Sequence, residues 1–426
     1  MKELSFEELW SLVQGTGVAI RVRQKLQPAG GVGDKVFPPT YATGDNKLKY
    51  AFEDRCVDAS GSNGEVATKK TVLLDSVASQ ANRMEESLLA AWESNALSFP
   101  VIGVDFAGDK ELADIGAVTT LQAPHRIADA ILRDATNLDG NTLFRDTPQG
   151  RAYTDATTRN ATAVYQLCPT ALVFGVWDST GPKGGLGAKF ARALTSEIVG
   201  VGATFGSKVG SRIDPLAIQA NVEVYHSKKD EADWTIDADE AKTDSKGKPV
   251  LFSRGGKDAK GKPSAVNHSN VAPNIDTFAG GVTFEYAVQT VVLSLPALRR
   301  LRFATGLDGT PLADRSKAEQ AARVALAALG VAAIVHQRDR GYDLRSRCLL
   351  VPEGGLLLEI VQADGKVETR ELSSASANAL VAKAQEAAGT AGLPWQREPI
   401  KLKPAPKLVA LIKRSRREAA TGGEVE

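Results

Sequence analysis

The sequence predicts an α+β fold, and three observations point to it. Runs of strand length recur along the chain, a long amphipathic helix follows the first strand, and an alanine-rich helix precedes the last strands. This order is compatible with a ferredoxin-like βαββαβ core that carries large insertions, although periodicity alone does not single that core out. The predicted strands are residues 17–26, 171–177, 194–201, 218–225, 281–295, 331–335 and 347–351, and the predicted helices are residues 5–13, 72–92, 316–329 and 373–388.

The composition is that of a soluble globular protein. The 426 residues can bury a large core, and the net charge of +1 means that any nucleic-acid surface must come from segregated charge. Cys56, Cys168 and Cys348 lie far apart without a C-x-x-C pair, which argues against a disulfide framework or a cysteine-rich zinc site and fits a reducing cytoplasm. No apolar run approaches the roughly 20 residues of a membrane span, so we expect a cytoplasmic protein without a membrane partner.

The first predicted strand alternates apolar and basic side chains. Its apolar face carries Val18, Ile20 and Val22, and its basic face carries Arg21, Arg23 and Lys25. Such a basic face is ordinarily a solvated one, but it would also suit a phosphate backbone.

The predicted helix 72–92 has an apolar arc and an opposite arc rich in Ser, Gln and Asn, side chains that suit hydrogen bonds to phosphate and sugar oxygens. We predict that Ser76, Ser79 and Arg83 form an outward row, with Gln80 beside them. The alternative is that Arg83 merely pairs with Glu86 or with a loop carboxylate. The apolar arc comprises Leu74, Val77, Ala78, Ala81, Met84, Leu88 and Trp92, and the polar arc comprises Ser76, Ser79, Gln80, Asn82, Arg83 and Glu86.

A glycine-rich turn, residues 178–187, follows the predicted strand 171–177. Its glycines allow a ligand to approach the backbone closely, and the cations Lys183, Lys189 and Arg192 favour an anion. The turn fits neither the P-loop nor the dinucleotide-binding pattern, so we expect backbone phosphate as its ligand. The alternative is a plain surface loop. With Lys208 and Arg212, residues 183–212 carry a charge of about +4.

Three segments are too polar or too rich in turns for the core and are predicted insertions, at about 27–70, 137–160 and 226–270. We interpret 226–270 as an exposed, mobile excursion that is ordered against a partner. Residues 1–360 would then hold the core, and residues 361–426 a C-terminal helix and a basic tail.

Five separated motifs, in this order, resemble one known family. KVFPPTY, LLDSVASQANRMEE, APHRIADAILRD, LVFGVWDSTGPKGGLGAKFARALTSEIVG and NHSNVAP are together similar to the backbone subunit of subtype I-U (I-G) CRISPR effector (Cascade) complexes, in the Cas-seven group of the RAMP superfamily. The resemblance spans about residues 36–351. It implies a modified RNA-recognition-motif core with a palm and a thumb.

The resemblance also implies a function. Several copies would assemble along one CRISPR RNA, together with other effector-complex subunits, and present its bases to a complementary DNA strand in antiviral defence. The subunit would be non-catalytic and would need no cofactor. Ser79, Gln80 and Arg83 are similar to a polar pattern that contacts RNA phosphates in more distant type I backbone subunits. Phe174 and Trp177 resemble the RNP aromatic motif only loosely, and we expect both in the core.

The candidate RNA contacts extend the cationic and polar positions described above with His125, Arg126 and His268, which lie in two of the motifs. The full set is Arg21, Arg23, Ser76, Ser79, Gln80, Asn82, Arg83, His125, Arg126, Lys183, Lys189, Arg192, Lys208, Arg212 and His268.

Two other functions stay open. Related type III backbone subunits cut target RNA with a loop aspartate and a divalent metal, and Asp34, Asp45 and Asp178 lie in glycine-rich turns. A lone loop aspartate usually stabilises its own turn, and the four histidines show no metal-ligand spacing, so no metal site is expected. The third possibility is a self-assembling structural protein that forms filaments without RNA.

Overall fold

The described part of the chain contains ten α-helices and 21 strands, several of them only two residues long. This computed structural model describes residues 2–15, 17–43, 47–58, 66–181, 187–230, 232–253, 260–306, 308–396 and 398–420. The helices are α1 Phe6–Gln14, α2 Val77–Glu93, α3 Ala130–Arg133, α4 Pro148–Thr154, α5 Thr162–Leu167, α6 Thr170–Phe174, α7 Leu295–Arg299, α8 Arg315–Arg340, α9 Ser374–Thr390 and α10 Pro406–Ala420. The strands are β1 Gly17–Pro28, β2 Phe52–Asp58, β3 Val66–Asp75, β4 Ile102–Asp105, β5 Ala117–Thr119, β6 Ala135–Thr136, β7 Val176–Trp177, β8 Lys189–Phe190, β9 Leu194–Val201, β10 Thr204–Phe205, β11 Lys208–Arg212, β12 Tyr225–His226, β13 Trp234–Thr235, β14 Val271–Asp276, β15 Val282–Thr283, β16 Tyr286–Ser294, β17 Tyr342–Arg345, β18 Cys348–Pro352, β19 Leu358–Gln362, β20 Val367–Arg370 and β21 Ile400–Pro404.

An antiparallel sheet of nine described strands is built around β1, with strand order β17-β18-β1-β16-β9-β3-β2 and with β19 and β20 continuing from β1. β1 pairs with β16 from Ala19↔Ser294 to Leu26↔Ala287, and β16 pairs in turn with β9. The chain order β1-α2-β9-β16-α8-β18 and the spatial order β18-β1-β16-β9 are those of a βαββαβ core. The predicted α+β class is confirmed.

Helix α8 is the core helix and packs against α1, α2, α6 and α9. Gly330 permits its close approach to the sheet, because a Cβ atom there would lie only 3.3–3.4 Å from side-chain atoms of Leu293 and Leu194. The helix is long and apolar enough to span a membrane, but 94% of its most apolar window is buried inside the protein, as in the core helix of a soluble protein.

Several predicted elements were wrong in type or extent. Residues 331–335 belong to α8 and are not a strand, because a short apolar run cannot be told from a buried helical segment by periodicity. Residues 171–174 are helical in α6, and the chain turns at Gly175, whose φ is +86°, before the short strand β7. The predicted helix 72–92 begins only at Val77, since residues 72–75 complete β3. Of the predicted strand 218–225, only Tyr225 lies in a strand.

The chain divides into two compact units. The first comprises Met1–Tyr41, Tyr50–Thr204 and Val282–Val409, and the second comprises Ala42–Lys49, Phe205–Gly281 and Ala410–Glu426. The segment predicted as an insertion at 27–70 contributes β2 and the start of β3 to the sheet, and α9, from the predicted C-terminal segment, packs against α8.

The second unit contains the antiparallel ribbon β11–β14, whose Val209 and Ile275 are 70% and 71% exposed. The predicted excursion 226–270 lies within this unit and has a small core of its own. Phe252 is buried there against the His226 ring, 4.5 Å away between centroids.

Candidate nucleic-acid interface

The first turns of α2 lead into a buried polar network. Ser76 caps the helix by accepting a hydrogen bond from the Ser79 amide (3.3 Å), and Gln80 lies one turn on, with no exposed surface. The Gln80 side-chain carbonyl accepts three hydrogen bonds, and its amide donates to Asp75 Oδ2 at 2.7 Å. The three donors are Ser196 Oγ (2.8 Å), Gln289 Nε2 (2.9 Å) and Gln337 Nε2 (3.1 Å).

Arg83 belongs to the same network. Its Nε donates to the buried carboxylate of Asp75 at 3.0 Å, and its other nitrogens donate to the backbone carbonyls of Asp343 and Leu344. Arg345 Nη2 approaches the other oxygen of Asp75, at 3.2 Å. Asp75, the last residue of β3, therefore connects α2 with β17 through these hydrogen bonds.

The predicted outward row on α2 is therefore wrong. Gln80 is buried because α2 packs on both α8 and β9, so the covered face is wider than the apolar arc alone indicates. Arg83 pairs with a carboxylate, as the alternative reading held, but the partner is Asp75 rather than Glu86. Asn82 and Glu86 are the exposed members of the polar arc.

A buried ion pair joins α2 to the APHRIAD motif. Arg126, 5% exposed, forms two hydrogen bonds of 2.7 and 2.6 Å with the carboxylate of Glu85. Its Nη1 also donates to the backbone carbonyl of Gly175 at 2.9 Å. Burial raises the pKa of Glu85 to about 7, against the opposing effect of the Arg126 charge. Arg126, one of the predicted RNA contacts, is therefore a buried side chain that donates hydrogen bonds to Glu85 and Gly175 inside the protein.

Next to this pair lies an open cleft of about 840 Å³, which includes Trp177 in its lining and is called the Trp177 cleft below. It brings together Asn82 from α2, His125 from the APHRIAD motif, and Lys189 and Arg192 from the chain after the glycine-rich turn. With Arg126, which also lines the cleft, five of the predicted contacts from three separate motifs share one surface. The lining also includes Ala78, Pro124, Arg126, Thr158, Phe174, Gly175, Val176, Trp177, Ser179, Phe190 and Ala191.

A two-residue ribbon presents the cleft's aromatic and cationic side chains. β7 and β8 pair Val176 with Phe190, which are both buried, and Trp177 with Lys189, which are both exposed. Because alternate residues of a strand point to opposite faces, burial of the first pair fixes the second pair outward. The Lys189 ammonium lies 4.8 Å from the centroid of the Trp177 ring, a cation–π contact.

Two cations of the cleft, Lys189 and Arg192, keep their charge available, whereas Arg126 is paired with Glu85. Arg192 Nε donates to the Phe174 carbonyl at 3.1 Å, which orients the guanidinium. Within the described part of the chain, neither Lys189 nor Arg192 has a carboxylate within 4.0 Å, and no Asp or Glu lines the cleft. A surface with cations and without carboxylates attracts anions.

Close packing at Gly175 and the ion pair of the buried Asp178 fix the chain next to the glycine-rich turn. A Cβ atom at Gly175 would lie 2.8 Å from Arg192 Cγ, so only glycine lets the two segments pass this closely. Asp178 is buried and accepts a hydrogen bond from Arg145 at 3.0 Å. Lys183, predicted to be in the turn, lies outside the described residues.

The other predicted contacts are not among the residues that line the cleft. On β1, Arg21 forms an ion pair with Glu359, and Arg23 is exposed nearby. In the second unit, Lys208 pairs with Asp276 at 3.4 Å. Arg212 donates to the carbonyls of His268 (2.7 Å) and Ser269 (2.9 and 3.1 Å), which closes the end of the β11–β14 ribbon and gives the NHSN motif a structural role.

The loop aspartates have structural partners where they are described. Asp178 is paired with Arg145, and Asp34 Oδ1 accepts a hydrogen bond from the Lys35 amide at 2.9 Å. Asp45 lies outside the described residues. Within the described ranges, no group of three or more His, Cys, Asp or Glu side chains could hold a metal ion.

Trp177 is the residue that sequence reasoning misjudged most, since we expected it in the core and it is 53% exposed. Phe174 is buried, as predicted. A signal was present: Trp177 is the last residue before the polar turn, two residues after a glycine that ends the preceding helix. A terminal position of this kind is less constrained by packing than the middle of an apolar run.

The comparison with protein families agrees with four of the five sequence motifs, and NHSNVAP, residues 267–273, lies outside the matched segment. Residues 20–205 match the family model described as CRISPR-associated protein GSU0053 (Cas_GSU0053), a segment that includes most of β1, all of α2 and the whole lining of the cleft. No curated protein matches the chain. The predicted resemblance to a CRISPR-associated family is confirmed, because residues 20–205 are similar to CRISPR-associated proteins of the GSU0053 type.

Proposed function

We propose that this protein is a non-catalytic backbone subunit of a CRISPR effector complex and that it binds the sugar-phosphate backbone of the guide RNA through the Trp177 cleft. One observation carries the proposal: the cleft gathers Asn82, His125, Lys189 and Arg192, and among the described residues neither Lys189 nor Arg192 has a carboxylate within 4.0 Å. The match of residues 20–205 to a CRISPR-associated family supports the proposal, because a guide RNA is an anion that CRISPR effector complexes hold.

Phosphate contacts suit this task better than base-edge contacts. A subunit that holds guides must accept any spacer sequence and leave the Watson–Crick edges free for the target strand. Lys189 and Arg192 supply charge, and the exposed amide of Asn82 supplies a neutral donor for phosphate or sugar oxygens.

The proposed partners are the guide RNA, the complementary DNA strand, neighbouring copies of this chain and other subunits of the complex. Assembly along RNA is supported by the exposed β11–β14 ribbon, whose apolar Val209 and Ile275 could be covered by another copy. Sedimentation with and without a CRISPR RNA tests this part. A strict monomer on a full-length guide, with the other subunits bound, would contradict it, and filaments formed without RNA would favour the purely structural function.

The binding experiment compares two variants that remove the same charge. Lys189→Ala/Arg192→Ala should weaken binding to two unrelated RNA sequences about equally, because it removes only backbone contacts. Lys366→Ala/Lys401→Ala, which removes two exposed lysines elsewhere on the first unit, is the matched control and should leave affinity nearly unchanged. Equal affinities for both double variants would overturn the proposal. Cleavage of complementary RNA that depends on Mg²⁺ would favour the ribonuclease instead.

A further inference from the structure

Trp177 is a large aromatic side chain held exposed by a well-fixed backbone. Beneath it, Val176 and Phe190 are buried, and the peptide before the ribbon is pinned by two arginines. Arg126 donates to the Gly175 carbonyl and Arg192 donates to the Phe174 carbonyl. The indole therefore lies on a preorganised site rather than on a loose loop.

The backbone at Arg126 adds a second sign of a built site. Its φ of +54° lies in the left-handed region, which non-glycine residues rarely adopt. The pair with Glu85 and the bond to Gly175 hold it there. Strained residues of this kind cluster at ligand sites.

We propose that the cleft is a nucleobase site, in which one unstacked base of the bound RNA stacks on Trp177 while Lys189 and Arg192 hold the flanking phosphates. This inference rests on the proposed function. The cleft volume of about 840 Å³ lies within the range of small-ligand pockets. Stacking on an aromatic ring tolerates every base, because each base has a π face, so the site is compatible with arbitrary guide sequences.

The charge of the side chains that line the cleft favours RNA over a protein segment as the bound molecule. The described lining contains Lys189, Arg192, Arg126 and His125 and no carboxylate. Phosphates beside a base would complement Lys189 and Arg192, whereas an apolar or aromatic side chain from a neighbouring protein would leave both cations without a counter-charge.

The test uses two short strands of equal length, a single-stranded RNA and an abasic sugar-phosphate strand. Trp177→Ala should weaken binding to the RNA by about 5- to 150-fold, the loss expected for one stacked base, and leave binding to the abasic strand unchanged. Trp177→Phe should retain most of the affinity. Trp234→Ala, which removes an exposed tryptophan of the second unit, is the matched control.

Each other outcome has a distinct meaning. If Trp177→Ala weakens both strands equally, or neither, the nucleobase site is wrong. If it abolishes self-association without RNA and leaves RNA affinity intact, the occupant is a protein segment and the inference is overturned. If the wild-type protein binds neither strand, or Lys189→Ala/Arg192→Ala binds both as the wild type does, the proposed function itself fails.

Discussion

Helix α2 borders two polar clusters that look alike in sequence and differ in structure. Around Gln80 and Arg83, nearly every donor and acceptor is used inside the protein, and Asp75 has no exposed side-chain surface. In the Trp177 cleft, Lys189 and Arg192 keep their charge open to solvent. The difference teaches that residue type alone does not separate a buried polar network from an open cationic surface. What separates them is hydrogen-bonding and charge capacity that the fold leaves unused.

The largest expected effect is the loss of stability in Arg126→Ala, which tests whether Arg126 supports the fold or contacts RNA. Arg126→Ala leaves the carboxylate of Glu85 buried without its partner and should lower the free energy of unfolding by about 3–5 kcal/mol. Urea unfolding at pH 8 measures it. Unchanged stability combined with lost RNA binding would make Arg126 a contact and break the comparison.

The same variant should show a distinctive pH dependence. The pKa of Glu85 is raised from 4.5 to about 7 in the folded protein, so folding takes up a proton between these values and stability falls as pH rises through this window. Without Arg126 the pKa rises further, and the fall should continue above pH 7. The stability lost by Arg126→Ala should therefore be smaller at pH 6 than at pH 8.5. An equal loss at both values would show that Glu85 does not titrate there.

Gln80 tests whether the network is structural. Gln80→Leu removes the acceptor of three buried donors and should cost roughly 2–3 kcal/mol of stability, with RNA affinity unchanged in the folded protein. Asn82→Leu, on the exposed side of the same helix, is the control and should change stability by less than about 0.5 kcal/mol. Comparable losses for the two variants would contradict the assignment of Gln80 to the core.

Arg83 should show the smallest effect. Because Asp75 keeps its bonds to Gln80 and Arg345, Arg83→Ala should cost about 1–2 kcal/mol. Thermal unfolding at fixed pH measures this cost. If Arg83→Ala has the wild-type melting temperature but binds RNA more weakly, Arg83 is an RNA contact and the structural assignment is wrong.

The α+β class and most of the long elements could be predicted from the sequence, because alternation in β1 and helical spacing in α1 and α9 are local signals. The errors arose where tertiary packing overrides local pattern. The run 331–335 has strand composition but continues a helix that is buried all round. Gln80 is polar but buried, because its three donors come from β9, β16 and α8, far away in sequence.

The candidate site was predictable only as separate pieces. Asn82, His125, Lys189 and Arg192 were all named as candidates, but no local pattern shows that α2, the APHRIAD motif and the β8 segment meet. Nor does sequence show that Arg126 finds Glu85, 41 residues away, while its neighbour His125 stays exposed. The fold decides which charged side chains form ion pairs. This pairing distinguishes the buried Arg126 from the candidates that stay exposed.

The salt dependence of RNA binding tests the central claim most directly. The slope of log affinity against log salt should be compared for wild type, Lys189→Ala/Arg192→Ala and Arg83→Ala on one single-stranded RNA. Because each lost phosphate contact flattens the slope by about 0.7 on single strands, the cleft variant should flatten it by about 1.4 and Arg83→Ala should leave it unchanged. A flattened slope for Arg83→Ala together with a wild-type slope for the cleft variant would contradict the account.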